Sequence, residues 1–537
     1  MASHISKAAT KFSTKFSPVV NSAASSAAEA RAANAPASVL TIPSSVRYGP
    51  ISISDLKDEN NRTPAAAIRQ VGTTRRVFIL DSTMTAQEMD GLAYRIKVLS
   101  KNSSLNSILL SSNLERNDED DVNHILPSSA IEIEKPYNPF SNGASPLGVH
   151  KGDVWNVSEG YDARSLVNES SDVKRQTINA LMKLALSIKG AKADFKNTNN
   201  DYLSKIPFIS VTHGLLSDGG YALAMGSYAF ATSDSRFRIV NPSKGLSFDP
   251  IGLSYILPRL GLEFRQPCAS YPVGQVLALT GYVADGFDMV ETGLATNYME
   301  SVSSIGLLER SLAELPPYIQ QALRKAPVRK YGQETESEVL SAVRDVNAQY
   351  RNIAVANLIH AVSDFDAASQ DYASAKDEDV FLADEDPSLV LEGQRGSYIE
   401  ERESVLLSIA ATLEDVFKKE DSIQGIVERL KEYASADATY DDEREVVNTA
   451  KELLDSMESQ SPLALHAVHK LMKDGKTNKQ TLESCMEREK TVLLNLFEKA
   501  DYKNWANSGL DAGEFKDWSH KSVHDVTSDE VKELFKE

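Results

Sequence analysis

At 537 residues, with 42% hydrophobic and 25% charged residues, the chain has a globular composition and room for one large domain with appendages or for two to three domains. Its formal charge of −19 repels phosphate backbones and argues against a broad nucleic-acid footprint, and no run of about 18 apolar residues offers a membrane span. The two cysteines, Cys268 and Cys485, fit neither a zinc spacing nor a disulfide framework.

In chain order, the first 28 residues hold no Asp or Glu. On a helix, Lys7, Lys11 and Lys15 would align beside an apolar stripe of Ile5, Ala8, Phe12, Phe16 and Val19. An amphipathic, basic, Ser-rich and acid-free leader reads as an organelle transit peptide. Mitochondria are the first expectation; plastid signals share the composition. Residues 20–45 are rich in Ala, Ser and Pro and read as a linker, so 1–45 is set apart from a core starting near Val46.

Arg76 to Asp81 reads as a strand. Thr85 to Ser100 has helical spacing at Met89, Leu92, Ile96 and Leu99, and Asn106 to Ser111 reads as a second strand. Strand, helix and strand in this order predict a βαβ unit of a parallel sheet. Residues 113–146 are acidic and turn-rich and read as an insertion. Gln176 to Lys189 predicts a helix, and Pro207 to Thr212 and Arg236 to Val240 predict strands. Residues 303–399 combine helical patterns with an acidic tract, and 400–537 is helical again, with Ser528 placed to cap the last helix.

The stretch HGLLSDGGYALAMG (213–226), followed by GLSFDPIGLSYILPRL (245–260) and LALTGYVADGFDMVETGLA (277–295), resembles the core of the crotonase (enoyl-CoA hydratase/isomerase) superfamily. Its 3-hydroxyisobutyryl-CoA hydrolase branch is the nearest resemblance. The resemblance covers roughly 46–301 of a core domain set at 46–302, with the insertion, and returns over about 400–535 of the C-terminal region 400–537. It implies an α/β fold, a spiral of ββα units, with added C-terminal helices. It also implies an acyl-CoA thioester as substrate, with the coenzyme A moiety carried by that substrate and no separate cofactor.

Such a site polarises a thioester carbonyl with two backbone N–H groups, and carboxylates nearby move protons. The resemblance places one donor at Gly219 and the other in the loop His150–Lys151–Gly152–Asp153. Asp218 stands where the family has a glycine. Either it opposes the developing oxyanion, or it caps the following helix. Ser243 occupies the place of the family's Pro-Glu glutamate. Asp249 aligns with its catalytic aspartate only across gaps, and an exposed loop aspartate is the alternative. With Ala222 and Ser243 in their places, neither hydratase glutamate is present, which argues against ordinary hydration, and the CoA-contacting segment reads STMTAQEM (82–89), without its cation. His466 and His469 lack a third ligand and read as surface or core histidines.

Two functions follow. One is a CoA-thioester hydrolase of valine breakdown. The other is a catalytically degenerate descendant serving as a structural subunit, with protein partners in a large assembly. The most concrete assembly is the small subunit of the mitochondrial ribosome, where relatives of this hydrolase occur. The lost site residues and the insertions favour the second.

Overall fold

A computed structural model describes residues 39–42, 66–102, 105–112, 156–190, 206–260, 272–299, 303–315, 351–359, 362–363, 404–437, 440–477 and 479–536. Two sheets organise it. The larger has seven strands in the order β1 (Val39–Ile42), β2 (Ala66–Val71), β3 (Thr74–Ile79), β4 (Ser107–Ser112), β6 (Phe208–Thr212), β8 (Tyr228–Thr232) and β11 (Asn297–Met299). Within this sheet only β2 and β3 pair antiparallel, through the tight turn at Gly72. The smaller sheet runs β10 (Ala284–Asp285), β9 (Arg236–Arg238), β7 (Leu215–Ser217) and β5 (Asn156–Ser158), and in it β9 and β10 also pair antiparallel. The pairs β6/β7 and β8/β9 each give one strand to each sheet, so the chain climbs in a spiral.

The predicted βαβ unit is present. Helix α1 (Ala86–Leu99) joins β3 to β4, which pair in parallel register. Its start is fixed by a capping box: Thr85 accepts the Glu88 N–H while the Glu88 carboxylate takes the Thr85 N–H at 2.8 Å. Helix α2 (Ser171–Gly190) begins five residues before the periodic stretch read from sequence and packs against α1. The short helices α3 (Leu253–Ile256), α4 (Val273–Thr280) and α5 (Gly286–Thr292) follow β9.

One expectation is corrected at the N-terminus. Val39–Ile42, inside the stretch assigned to signal and linker, pairs in parallel with β2, from Val39 opposite Ala66 to Ile42 opposite Arg69. Four residues of high strand propensity, VLTI, complete a sheet edge there. The remainder of 1–45, the insertion 113–146 and the acidic tract 374–388 lie outside the described residues.

Period-two alternation on the central strands divides the core. Ile108, Leu110 and Phe208 face the main core, with α1, α2 and the C-terminal helices. Leu109, Ile209, Val211, Phe230 and Met299 face the other way, into a second core covered by α6 (Ser303–Glu314) and by α7 (residues 351–359). Strand β6 is therefore buried on both faces, as central parallel strands are. A fully buried Arg69 donates to Glu309 of α6 at 2.8 Å, and Arg76 pairs with the same carboxylate. Arg76 lies over the Phe78 ring, 4.5 Å from its centroid.

The C-terminal helices are α8 (Val405–Thr412), α9 (Glu414–Lys419), α10 (Ile423–Ala434), α11 (Asp441–Ser459), α12 (Pro462–Gly475), α13 (Leu482–Leu496), α14 (Ala500–Ser508) and α15 (Ser528–Glu533). They share the main core with the sheets. The last is capped by Thr527, which accepts the Glu530 N–H; Ser528 is already its first helical residue. Cys485 is a free, buried thiol on α13.

Candidate active site

The segment after β7 carries the site. Gly214 takes φ +106° and turns the chain from β6 into β7, which runs into a buried 3-10 helix, Asp218–Ala224. The resemblance implies a buried helix after the turn, without its type. The tighter 3-10 form still leaves the first N–H groups, Gly219 among them, without partners inside the helix. The end of β5 lies directly on this turn. A Cβ on Gly220 would drive into the Ser158 carbonyl oxygen, and one on Gly160 would sit 3.0 Å from the Gly219 carbonyl carbon. The Ser82–Met84 loop, from the segment aligned with the family's CoA contacts, is bound to the same place. It accepts the Glu159 N–H through Ser82 at 2.8 Å and gives the Met84 N–H to Gly160 at 2.9 Å.

Asp249 comes to this turn. It is 1% exposed, which removes the alternative of an exposed loop aspartate. One carboxylate oxygen accepts the Tyr161 hydroxyl at 2.7 Å and the other accepts the Asn241 amide at 3.1 Å. The second oxygen also lies 3.1 Å from where a Gly219 Cβ would be, so the carboxyl faces the candidate oxyanion glycine. Burial, and then the Asp218 charge, push its pKa up to about 7, against the Tyr161, Lys244 and Asn241 contacts that favour the anion. The same burial and the Asp249 charge hold the Tyr161 phenol well above its usual range.

Asp218 fits neither sequence reading. Its own helix has Ser217 as N-cap, with no side-chain capping bond. Its carboxylate turns instead to the next 3-10 helix, Asn241–Lys244. One oxygen accepts the N–H groups of Val240 and Asn241 at 2.8 and 3.0 Å, and the other takes the Lys244 ammonium at 3.1 Å. Lys244 also stands 4.0 Å from Glu159. Burial opposes its charge, yet Asp218 and Glu159 outweigh burial and raise its pKa. The path Tyr161–Asp249–Asn241–Asp218–Lys244 thus joins three separate chain segments.

Ser243, in the same 3-10 helix, is buried and gives its N–H to Val240 at 2.9 Å. It is not among the hydrogen-bond partners of Asp249. Gly219, Asp249 and the helix bearing Ser243 therefore converge, whereas His150 and Lys151 lie outside the described residues. Tyr161, Asn241 and Lys244 were not singled out from sequence. The only local hints are a cation in NPSKG beside Ser243 and a tyrosine closing SEGY. Among the described residues no group of three or more His, Cys, Asp or Glu could hold a metal ion. His466 donates its Nε2–H to the Val523 carbonyl at 2.9 Å, within the C-terminal region.

The C-terminal helices seat the site from behind. Glu489 of α13 is fully buried and accepts the N–H groups of Gly252 and Ser254 at 2.7 and 2.6 Å, fixing the loop just after Asp249. Burial pushes its pKa up to about 8. Gly245, at φ +73°, packs so closely on α14 that a Cβ would lie 2.8 Å from the Tyr502 nitrogen.

The sequence profile of the enoyl-CoA hydratase/isomerase family matches residues 191–387 and 378–535, well over half of the chain. The chain belongs to the enoyl-CoA hydratase/isomerase family. Within the family it is similar to the mitochondrial 3-hydroxyisobutyryl-CoA hydrolases of Gallus gallus, 33% identical over 112 residues, and Homo sapiens, 32% identical over 110 residues. These matches cover 21% and 20% of this chain and 26% of each relative, so the chain aligns with about a quarter of their length. Among solved structures it is similar to a carnitinyl-CoA dehydratase from Mycobacterium thermoresistibile, with a TM-score of 0.52 at 14% identity over 88% of this chain and 96% of that one. An enoyl-CoA hydratase from Rhodobacter sphaeroides gives 0.50 at 13% identity, over 88% and 97%. At such identities the likeness speaks for the fold alone: this is a crotonase-type α/β fold with additional C-terminal helices. Among the described residues, no helix is long and apolar enough to cross a membrane.

Proposed function

We propose that this chain is a 3-hydroxyisobutyryl-CoA hydrolase-like protein of mitochondria that has lost turnover and serves as a structural subunit of a large assembly. The small subunit of the mitochondrial ribosome is the most concrete candidate. One observation carries the reading: the charged groups of the site are buried and engaged with one another. Asp249, Asp218 and Lys244 are 1%, 2% and 8% exposed, and Ser243 stands where a carboxylate would be needed. A serine hydroxyl with no base beside it does not replace a carboxylate at neutral pH. Assembly is further supported by apolar side chains that helices α6 and α7 leave in solvent, Leu307 at 42% and Ile353 at 59% exposure. The charge of −19 suits a peripheral, protein-contacting position better than an RNA-contacting one.

A second reading, an active hydrolase, draws on Asp249 alone. Its carboxyl faces Gly219 with a pKa near 7, the range suited to general acid–base work. Two measurements separate the readings. Tagged native protein from gently lysed mitochondria should co-sediment with small ribosomal subunits, and purified protein should leave 3-hydroxyisobutyryl-CoA essentially uncleaved. Turnover in the usual enzyme range of about 1–1000 per second, abolished by Asp249→Asn, would instead establish the hydrolase.

A further inference from the structure

We infer that the Asp218–Lys244 pair is an autoinhibitory latch: Asp218 holds Lys244, a cation adjoining the candidate oxyanion turn, away from any acyl-CoA anion. The inference rests on the reading of a disused site, and it names what keeps that site shut. Asp218 immediately precedes Gly219, and among the described residues it is the only non-glycine with positive φ, +46°. A left-handed backbone strains an L-residue, Asp and Asn less than most. The side-chain contacts that hold it there point to a role. Its carboxylate grips both the entry of the 241–244 helix and the Lys244 ammonium. Lys244 is largely buried, so little water competes for its charge. Asn241, fixed by the same grip, delivers its amide to Asp249. Lys244 is thereby a charge already neutralised inside the site, although a phosphate, carboxylate or developing oxyanion would be a natural partner for it.

Asparagine is the informative replacement. It tolerates the left-handed backbone, and its oxygen still caps Val240 and Asn241. It removes the nearer of the negative charges that face Lys244 and leaves only the longer 4.0 Å approach of the partly exposed Glu159. Asp218→Asn should therefore free a cation, whereas Lys244→Met breaks the same pair without freeing one.

The test measures acetyl-CoA binding by calorimetry to full-length wild type, Asp218→Asn, Lys244→Met and the double variant, with thermal midpoints alongside. Asp218→Asn should bind acetyl-CoA on the order of tenfold or more tighter than wild type, the effect of one charge-assisted hydrogen bond from Lys244 to the ligand. Lys244→Met and the double variant should bind no tighter than wild type. In the midpoints, Asp218→Asn should lose several degrees and the double variant should recover part of the loss. Equally tightened binding in both single variants would mean simple loosening and would overturn the latch; so would unchanged binding in Asp218→Asn, or strictly additive midpoint losses. Hydrolysis of 3-hydroxyisobutyryl-CoA by the wild type would overturn the disused-site reading separately, because the latch is judged by the ratio of variant to wild-type affinity.

Discussion

Asp249 acquires a proton affinity on folding that it lacks in the unfolded chain, and this has a sign. Its folded pKa, about 7, lies above its ordinary 3.8, so its contribution to stability is complete below about pH 4 and is lost as pH rises through 7. Between pH 5 and 8 the unfolding free energy of the wild type should fall, with Asp249 contributing at most about 1.4 kcal/mol per pH unit. Asp249→Asn should flatten that slope in chemical denaturation at a series of pH values. An unchanged slope would mean that the carboxyl is already ionised at pH 5. Glu489, raised to about 8, and Asp288, raised to about 6 by burial and by Asp285, slope the same way and remain in the variant. At this scale the sequence pointed to Gly219, Ser243 and Asp249, because they sit in recognisable runs. It did not show Tyr161 or Asn241, since their partner lies 88 and 8 residues away and the contact exists only after the spiral closes. Asp218 was visible, but not where its carboxylate turns: that depends on backbone N–H groups 22 and 23 residues downstream.

Among the elements, helices and central strands were legible because one face of each meets a core and the periodicity records it. The 3-10 helix at Asp218–Ala224 was not, because a Gly-rich apolar run of seven residues has no period to read. Two glycines give a matched pair of expectations. Gly220→Ala would push a Cβ into the Ser158 carbonyl, backbone against backbone, and should leave little folded protein or lower stability by more than about 4 kcal/mol. Gly306→Ala, inside α6 with nothing near the added methyl, should stabilise by roughly 0.5–1 kcal/mol. Thermal midpoints of the two variants measured side by side check both.

On the scale of the whole molecule, the two cores are held by different means. Helix α6 is fastened to the sheet by Glu309 between Arg69 and Arg76. Glu309→Leu leaves two buried cations without their carboxylate and should cost about 3–5 kcal/mol. Hydrogen exchange should localise the loss to α6 and the outer face of β6 and β8. Uniform loss across both cores would contradict that division. The C-terminal helices, by contrast, are part of the main core. Besides Glu489, Asp288 of α5 accepts the Ser404 hydroxyl at 2.6 Å and the Leu406 N–H at 3.2 Å. A chain ending at residue 402 should therefore fail to yield a soluble, cooperatively melting core. The fastenings span long stretches of chain: 240 residues from Arg69 to Glu309, 237 from Gly252 to Glu489, 339 from Ala163 to the Tyr502 hydroxyl. Contacts this distant in sequence form slowly, because loop closure precedes the reward. The order of synthesis sharpens this. When the ribosome has finished β9 and the Asp249 loop, the surfaces that will cover them are still more than 200 residues from being made, and the nascent spiral must wait with its apolar face open, a client for chaperones until α13 and α14 emerge.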